Sequence, residues 1–329
     1  MQTNNKKFNI CVVGAGYWGM NHIRTLHNLN ALGGVVELDT KIIEIIKLKY
    51  PYCKTYTDLQ KALNEKYDGF IITTQPSSHF SLAKNIITCG FHVLVEKPMT
   101  LNKADAVTLC DLALKNNVNL MVGHLLLFHP AFRKIKDSLK SGQIGNLQYI
   151  YSNRLNLGTV RSDENVFWSF APHDISLFQY FFQSFPIEVV SRGVDILQPK
   201  IHDSTITTLK YQNNTMGHIF VSWLHPFKEH RFVIVGSEGM IHFEDSLMNK
   251  PLLFYDKSII FDGKTPITEI GPTKEIKYNT ELPLTLEIEY FLKHLNGDKI
   301  KIASGESAVE VIDILEKATI SLNKDSYED

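Results

Sequence analysis

Short apolar runs alternate with helix-like segments over the first 123 residues of the chain. The runs are rich in β-branched residues and too short for helices, so each predicts a buried strand. Between the runs, apolar residues recur every three or four positions, as on one face of a helix. Strands that alternate with helices indicate βαβ units and a parallel sheet. The strands predicted in this way are residues 8–13, 34–38, 69–74, 93–95 and 118–123.

The pattern changes after Gly123, where a helical segment is followed by segments that alternate apolar and polar residues. This alternation predicts strands, and the polar turns at residues 212–215 and 236–239 are hairpin signals. We therefore expect a largely antiparallel sheet, which can bury one face under helices and offer the other to a partner. The alternation leaves open whether Ile219 and Val221 face the core or a dimer interface. The elements predicted here are a helix at 130–141, strands at 148–155, 205–211, 216–223, 232–235 and 240–243, and helices at 283–295 and 307–322.

The predicted fold class is α/β with two domains. Residues 1–123 form a doubly wound parallel sheet. Residues 124–329 form an α+β domain on an open-faced, largely antiparallel sheet. The two last helices are expected to pack between or across the domains.

Composition and charge narrow the classes of partner. The chain has 34 Lys and Arg against 35 Asp and Glu, so no basic field favours nucleic acid. Cys11, Cys53, Cys89 and Cys110 form no Cys-x-x-Cys pair, which argues against a metal site or disulfide scaffold. No apolar run approaches membrane-spanning length, and residues 1–7 are polar with no signal-peptide core after them. We expect a cytoplasmic protein without a metal, nucleic-acid or membrane partner.

A glycine-rich turn joins the first predicted strand to the first helix. The sequence there is Gly-Ala-Gly-Tyr-Trp-Gly, starting at Gly14. Gly14 permits the tight turn, Gly16 lets the backbone approach a pyrophosphate, and Gly19 lets helix and strand pack closely. Because the turn lies between a strand and a helix, it predicts a dinucleotide-binding loop that also includes Tyr17 and Trp18.

An acidic residue near the end of the second predicted strand bears on the choice of cofactor. Glu37 lies 18 residues after Gly19. A carboxylate there can accept hydrogen bonds from both ribose hydroxyls and repel a 2′-phosphate, which favours NAD over NADP. Asp39 takes the same role if the strand register is shifted by two. Either acid supports NAD, and the alternative for Glu37 is a solvated strand-end charge.

Two further strand ends carry candidate site residues. Ligands of open α/β sheets bind beyond the carboxyl ends of the strands, where Lys97 follows an apolar run and precedes Pro98. A cis Lys97-Pro98 bond is expected, since cis bonds are largely confined to X-Pro. His79 either touches the nicotinamide ribose or sits in the first turn of a helix. The cofactor-binding candidates at these ends are Thr74, Gln75, Pro76, His79, Glu96 and Lys97.

The chain resembles a known family over essentially its whole length. The glycine turn, Gln75-Pro76, Glu96-Lys97-Pro98 and the stretch from Trp168 to Asp174 are similar to the glucose-fructose oxidoreductase, inositol dehydrogenase and MocA (Gfo/Idh/MocA) family. The resemblance implies a Rossmann domain that binds NAD or NADP and an open-faced sheet domain for substrate binding and oligomerisation. It also implies hydride transfer at a ring carbon of a sugar or cyclitol, and a homodimer or homotetramer formed through the sheet. Residues 151–158 with 173–176 resemble a branch associated with nucleotide-sugar modification.

The resemblance also implies a catalytic pair, Lys97 and His173. A base with a pKa near neutrality removes a hydroxyl proton well, which suits a histidine, and an ammonium stabilises a developing alkoxide. Where the family often has an acid, this chain has Ser169, which leaves the proton-handling scheme open. Asp174 compensates either by orienting the imidazole of His173 or by binding a sugar hydroxyl.

The substrate-binding candidates come from the second half of the chain. Arg154 and Arg161 flank a predicted loop and either bind a diphosphate through their guanidinium groups or are surface charges. Tyr151 either stacks on a sugar or base or packs in its strand. Lys228 and Arg231 are further candidates. The sequence thus predicts an NAD-dependent oxidoreductase acting at a sugar ring carbon, C3 of a nucleotide-linked hexose; the alternatives are an inositol or free-sugar dehydrogenase and a cofactor-binding regulator without turnover.

Overall fold

The structure is a computed structural model that describes residues 8–325. The polar segment at residues 1–7, on which the signal-peptide argument depended, lies outside them. No helix in the described part of the chain combines the length and the apolar character needed to cross a membrane. The chain divides into two compact units: residues up to Leu125 together with Leu282–Ile312, and Leu126–Glu281 together with residues from Asp313 onward.

The first unit is built on six parallel strands in the order β3-β2-β1-β4-β5-β6. The order reverses between β1 and β4, which is where open α/β sheets bind their ligands. This confirms the predicted doubly wound sheet. The elements are β1 (Ile10–Val13), α1 (Tyr17–Asn28), β2 (Leu32–Val36), α2 (Thr40–Lys49), β3 (Lys54–Tyr56), α3 (Leu59–Leu63), β4 (Gly69–Ile72), α4 (Pro76–Thr88), β5 (His92–Val95), α5 (Lys103–Lys115) and β6 (Leu120–Val122).

Three local predictions in this unit need correction. The second strand ends at Val36, two residues earlier than predicted. The edge strand β3 was missed because a strand of three residues gives too short a pattern to detect. Thr57, with Gln60 three residues later, has the spacing of a capping box and predicts a helix opened by Thr57. Asp58 caps helix α3 instead, since its carboxylate accepts a 3.0 Å hydrogen bond from the backbone N–H of Gln60.

The second unit carries eight strands in one sheet, in the order β14-β13-β12-β11-β7-β10-β9-β8. Every neighbouring pair is antiparallel except β7 and β10, so the prediction of a largely antiparallel sheet is confirmed. The elements are α6 (Pro130–Lys140), β7 (Leu147–Leu157), α7 (Val166–Phe170), α8 (Pro172–Phe182), β8 (Glu188–Val194), β9 (Ser204–Lys210), β10 (Met216–Ser222), β11 (Leu224–Gly236), β12 (Met240–Glu244), β13 (Leu252–Asp262) and β14 (Thr265–Glu275), with 3-10 helices at Leu125–Phe128 and Gln212–Asn214.

Strand β10 shows which face of this sheet is the core. Ile219 and Val221 are fully buried, so they belong to the core and not to an exposed face. Helix α8 covers this side, because a Cβ on Gly217 would lie 2.6 Å from the ring of Phe178. The strands β8, β13 and β14 were missed; β14 is almost entirely exposed and therefore lacks an apolar alternation.

Two helices complete the described chain. Helix α9 (Pro283–His294) belongs to the first unit, where Phe291 packs close to Gly69 of β4. The Asn119 side chain fixes the end of α9 by donating hydrogen bonds of 2.8 Å to the carbonyls of His294 and Asp298. Helix α10 (Gly305–Asp325) starts in the first unit and ends in the second.

Candidate active site

The glycine turn leaves open space in front of helix α1. Gly14 has a φ of +93°, and a Cβ on Gly19 would lie only 2.3 Å from the carbonyl oxygen of Gly14. A Cβ on Gly16, in contrast, would meet no atom within 4 Å, and no side chain caps the helix. The first backbone N–H groups of α1 are thus open to an anion, as a pyrophosphate requires. Tyr17 beside them is 90% exposed.

Glu37 lies directly after β2 and reaches back to this turn. One carboxylate oxygen accepts a 2.7 Å hydrogen bond from the N–H of Ala15, and the other accepts bonds from Leu38 and Asp39. Asp39 instead caps α2 by accepting a 2.8 Å bond from Lys41 N–H. Of the two acids, only Glu37 therefore contacts the glycine turn in this structure.

The end of β4 closes the other side of the turn. Thr73, which the sequence did not single out, donates its hydroxyl to the carbonyl of Gly14 at 2.7 Å. The Thr74 hydroxyl lies 2.7 Å from that of Ser78. Gln75 occupies the N-cap position of α4, with Pro76 at the first helical position. The backbone of residues 73–76 thus lies beside the predicted dinucleotide loop.

His79 connects the ends of β4 and β5. It lies in the first turn of α4 and is fully buried, with Nε2 3.0 Å from the Thr74 carbonyl and Nδ1 2.8 Å from the Pro98 carbonyl. Burial lowers the pKa of His79, although both carbonyls oppose this. Both ring nitrogens face backbone carbonyls, which favours a structural role for His79, and contact with a ribose stays a prediction. Its position in the first helical turn is confirmed.

Glu96 and Lys97 follow the last residue of β5. The Lys97-Pro98 bond is cis, as predicted. The Glu96 carboxylate accepts hydrogen bonds from the indole N–H of Trp18 and, at 2.7 Å, from Nε2 of His22. Burial by itself would raise the pKa of Glu96, but these bonds and the charges of His22 and Lys97 lower it below its ordinary value. The strand end that carries Lys97 is thereby tied to the helix of the glycine turn.

His173 and Asp174 lie in the first turn of α8, in the second unit. Asp174 is 2% exposed and accepts two hydrogen bonds from Arg154, from Nε at 2.8 Å and Nη2 at 3.1 Å. Burial would lower the pKa of Arg154, but the Asp174 charge and these bonds raise it. The pair engages two N–H groups of Arg154 and both carboxyl oxygens of Asp174, and it fixes the start of the helix that carries His173. Diphosphate binding by Arg154 and a catalytic or sugar-binding role of Asp174 stay predictions.

Of the other substrate candidates, Arg231 lines the same small cavity as Arg154 and Asp174, and the remaining ones lie elsewhere. Tyr151 is three residues from Arg154 on β7, so its side chain lies on the opposite face of the sheet. The Arg161 side chain is 53% exposed, and its Nε lies 3.8 Å from the Glu164 carboxylate. Arg231 donates to Glu244 at 3.2 Å, and Lys228 is exposed. The sequence thus did not predict which of these side chains share a surface.

The buried polar side chains of the first unit that the sequence analysis did not identify include His22, His124 and Glu287. His22 was detectable in principle, since Gly19, Ile23 and Leu26 define the buried face of α1 and His22 lies beside Ile23. His124 and Glu287 follow or interrupt ordinary apolar patterns, which gave no signal of a polar environment.

Family models match most of the chain. The model described as an oxidoreductase family with an NAD-binding Rossmann fold (GFO_IDH_MocA) matches residues 8–124. The model of the GFO/IDH/MocA C-terminal domain matches residues 132–242.

Curated relatives and solved structures give more distant similarities. UDP-N-acetylglucosamine 3-dehydrogenase from Acidithiobacillus ferrooxidans is 26% identical over 212 residues. The matched region covers 64% of this chain and 66% of that protein, which is just under two thirds of the relative's length. Its solved structure has a TM-score of 0.85 at 22% identity and covers 97% of this chain and 98% of that chain. Myo-inositol 2-dehydrogenase from Thermotoga maritima is 22% identical over 75% of this chain and 78% of that protein. At these identities the solved structure establishes the fold alone.

Proposed function

Because this chain belongs to the Gfo/Idh/MocA family of NAD-binding oxidoreductases, we propose that it transfers hydride between NAD and a ring carbon of a sugar, C3 of a nucleotide-linked hexose. The single observation that carries the proposal is the position of Lys97, which follows strand β5 at the carboxyl edge of the sheet, in the same unit as the open glycine turn. A charged residue at this edge is placed where ligands of such sheets bind.

The reaction needs two separate transfers from the alcohol. NAD, when bound, accepts the hydride. The hydroxyl proton leaves to a protein base, and a ketone is formed. Lys97 stabilises the developing negative charge on the oxygen as an ammonium or exchanges the proton itself, and His173 is the second proposed proton acceptor. Glu96 and His79 hold the strand end from which Lys97 projects, and the Arg154–Asp174 pair holds the helix start from which His173 projects.

The cofactor preference follows from Glu37. Its carboxylate already lies at the glycine turn, where it contacts the N–H of Ala15. There it can accept hydrogen bonds from the hydroxyls of an adenosine ribose, whereas a 2′-phosphate would meet a like charge. We infer that NAD is preferred to NADP.

We expect purified protein with NAD to turn over UDP- and dTDP-hexoses, with growth of the absorbance band of reduced nicotinamide. The matched comparison is the same hexose without its nucleotide, with myo-inositol as a further substrate. A preference of about 100-fold or more for the nucleotide form is expected where charge-assisted bonds recognise a diphosphate.

The outcomes separate the candidate functions. Turnover of myo-inositol or free sugars with no activity on nucleotide sugars would replace the proposed substrate by a cyclitol or free sugar. The myo-inositol 2-dehydrogenase relative favours that second candidate. Tight NAD binding without turnover of any sugar would favour a cofactor-binding regulator, which Ser169 in place of the family's frequent acid motivates.

The uncovered face of the eight-stranded sheet is proposed to bind a second copy of the chain. Exposed apolar side chains collect on this face: Ile206 is 54%, Tyr149 38% and Met216 37% exposed, and Phe220 alternates with the buried core of β10. Contiguous apolar surface of this kind marks interfaces, and a two-fold axis would pair the face with itself.

We expect sedimentation of the wild-type chain to give at least a dimer, and Phe220→Asp to shift it towards the monomer. An added charge at the interface would have to be buried there without a partner. Ile45→Asp on α2, where Ile45 is 56% exposed, is the matched control. A monomeric wild type, or an unchanged dimer of Phe220→Asp, would contradict this proposal.

A further inference from the structure

A buried polar cluster lies next to Lys97 in the first unit. Its members come from four elements: His22 on α1, Glu96 after β5, His124 after β6 and Glu287 on α9. His22 and Glu287 are fully buried, His124 is 2% exposed, and the Glu96 side chain is 12% exposed. The function proposed above uses Glu96 to hold the strand end that carries Lys97, and it assigns no role to His22, His124 or Glu287.

The cluster is short of hydrogen-bond partners. Within residues 8–325, Nδ1 of His22, both ring nitrogens of His124 and both carboxyl oxygens of Glu287 are buried and lack one. Buried polar atoms in proteins are almost always satisfied, by protein groups or by ordered water. Five such atoms in one unit therefore point to internal water that bridges these side chains.

Glu96 is the group around which the cluster is arranged. A Cβ on Gly123 would lie 2.8 Å from a Glu96 carboxyl oxygen, so this carboxylate packs against the backbone just before His124. His22 donates to it directly at 2.7 Å. His124 and Glu287 both interact with it electrostatically.

We propose that His22, His124 and Glu287 enclose ordered water against Glu96, and that Glu287 is the neutral, proton-donating member, so that the cluster presents one negative charge to Lys97. The inference rests on the proposed function only for the task of Lys97. The water site and the charge of the cluster are properties of the folded chain.

The two carboxyl groups differ in what solvates them. Glu96 receives two hydrogen bonds from Trp18 and His22, which stabilise its ionised form. No N–H or O–H group in the described residues donates to Glu287, so its ionised form would be unsolvated beside a like charge. Burial, with the Glu96 charge adding to it, raises the pKa of Glu287 well above its ordinary value. A neutral carboxyl group can instead donate its own proton to water.

The histidines determine the remaining charge. Burial lowers the pKa of His124 to about 4, so His124 is neutral near pH 7. His79, which faces Glu96 from α4, has both nitrogens on backbone carbonyls. Lys97 thus meets the charge of one carboxylate and not of two.

The test measures the pKa of Lys97 without any substrate or turnover. The full-length protein without NAD is reductively methylated with ¹³C on its lysines and titrated by NMR, and Lys97→Arg assigns the Lys97 signal. Glu96→Gln is expected to lower the pKa of Lys97 by about one unit, because an opposite charge is lost. Glu287→Gln, which keeps the shape and a donor, is expected to change it by less than about 0.3 units.

Glu289→Gln, at an exposed position of the same helix, is the matched control. If Glu287→Gln lowers the pKa of Lys97 as much as Glu96→Gln does, Glu287 is ionised and the proposal is wrong. Thermal unfolding of each variant shows whether it is folded. If Glu287→Gln fails to fold, the infrared spectrum of the wild-type protein at neutral pH is measured instead. A protonated Glu287 gives the carbonyl band of a carboxylic acid, and absence of that band overturns the proposal. Neither readout depends on sugar turnover, so a failure here is distinct from a failure of the proposed function.

Discussion

Lys97→Ala is expected to lower kcat/KM for the sugar substrate by about 10³-fold, which corresponds to about 4 kcal/mol of transition-state stabilisation. Removing the ammonium leaves the developing alkoxide without its positive partner and removes one group that can exchange the proton. NAD affinity should fall much less, since the glycine turn and Glu37 are untouched. Steady-state kinetics and calorimetric titration with NAD measure the two effects separately.

Two further variants sharpen this test. Lys97→Arg keeps the positive charge but cannot exchange a proton near neutral pH, so partial recovery would assign Lys97 to charge stabilisation. Without recovery, the proton exchange becomes the main contribution. Lys84→Ala, at an exposed position on α4, is the control and should behave as wild type. Retention of more than about a tenth of the activity by Lys97→Ala would contradict a catalytic lysine.

Glu37→Ala is expected to weaken NAD binding by about 10- to 100-fold and to reduce the preference for NAD over NADP. A carboxylate that accepts hydrogen bonds from ribose hydroxyls contributes roughly 1.5–3 kcal/mol, and its charge also repels a 2′-phosphate. Calorimetric titration with each dinucleotide gives both numbers.

The control for this prediction is the neighbouring acid. Asp39→Ala removes the cap of α2 and should lower the free energy of unfolding by about 1 kcal/mol while leaving NAD affinity unchanged. If Asp39→Ala weakens NAD binding and Glu37→Ala does not, Asp39 is the ribose acid and our assignment is reversed.

Much of the fold followed from local pattern. The parallel first sheet, the largely antiparallel second sheet and helices α6, α9 and α10 were predicted within a few residues. Short or exposed strands such as β3 and β14 were missed, because a strand is detected by the burial of alternate residues and these have little of it. The alternation on β10 was visible, but which set of side chains is buried depended on where α8 packs.

The same distinction between local sequence pattern and tertiary contacts applies to the candidate site. The glycine turn and the cis Lys97-Pro98 bond were predicted because glycine and proline act on the backbone at their own positions. The partners of polar side chains were not predicted. His79 binds carbonyls from two strand ends, and Arg154 pairs with Asp174 twenty residues away. Such pairs depend on which elements the fold brings together.

By itself, the sequence determined where the backbone turns, which segments alternate, and that a lysine stands at a strand end next to a dinucleotide loop. Only the tertiary structure decided that Glu96 is held by Trp18 and His22, and that His124 and Glu287 are buried beside it. The reason is physical: backbone geometry is set by neighbours along the chain, whereas the ionisation and hydrogen bonding of a buried group are set by neighbours in space. Lys97 was identifiable from its position in the sequence, but the charge it faces was not.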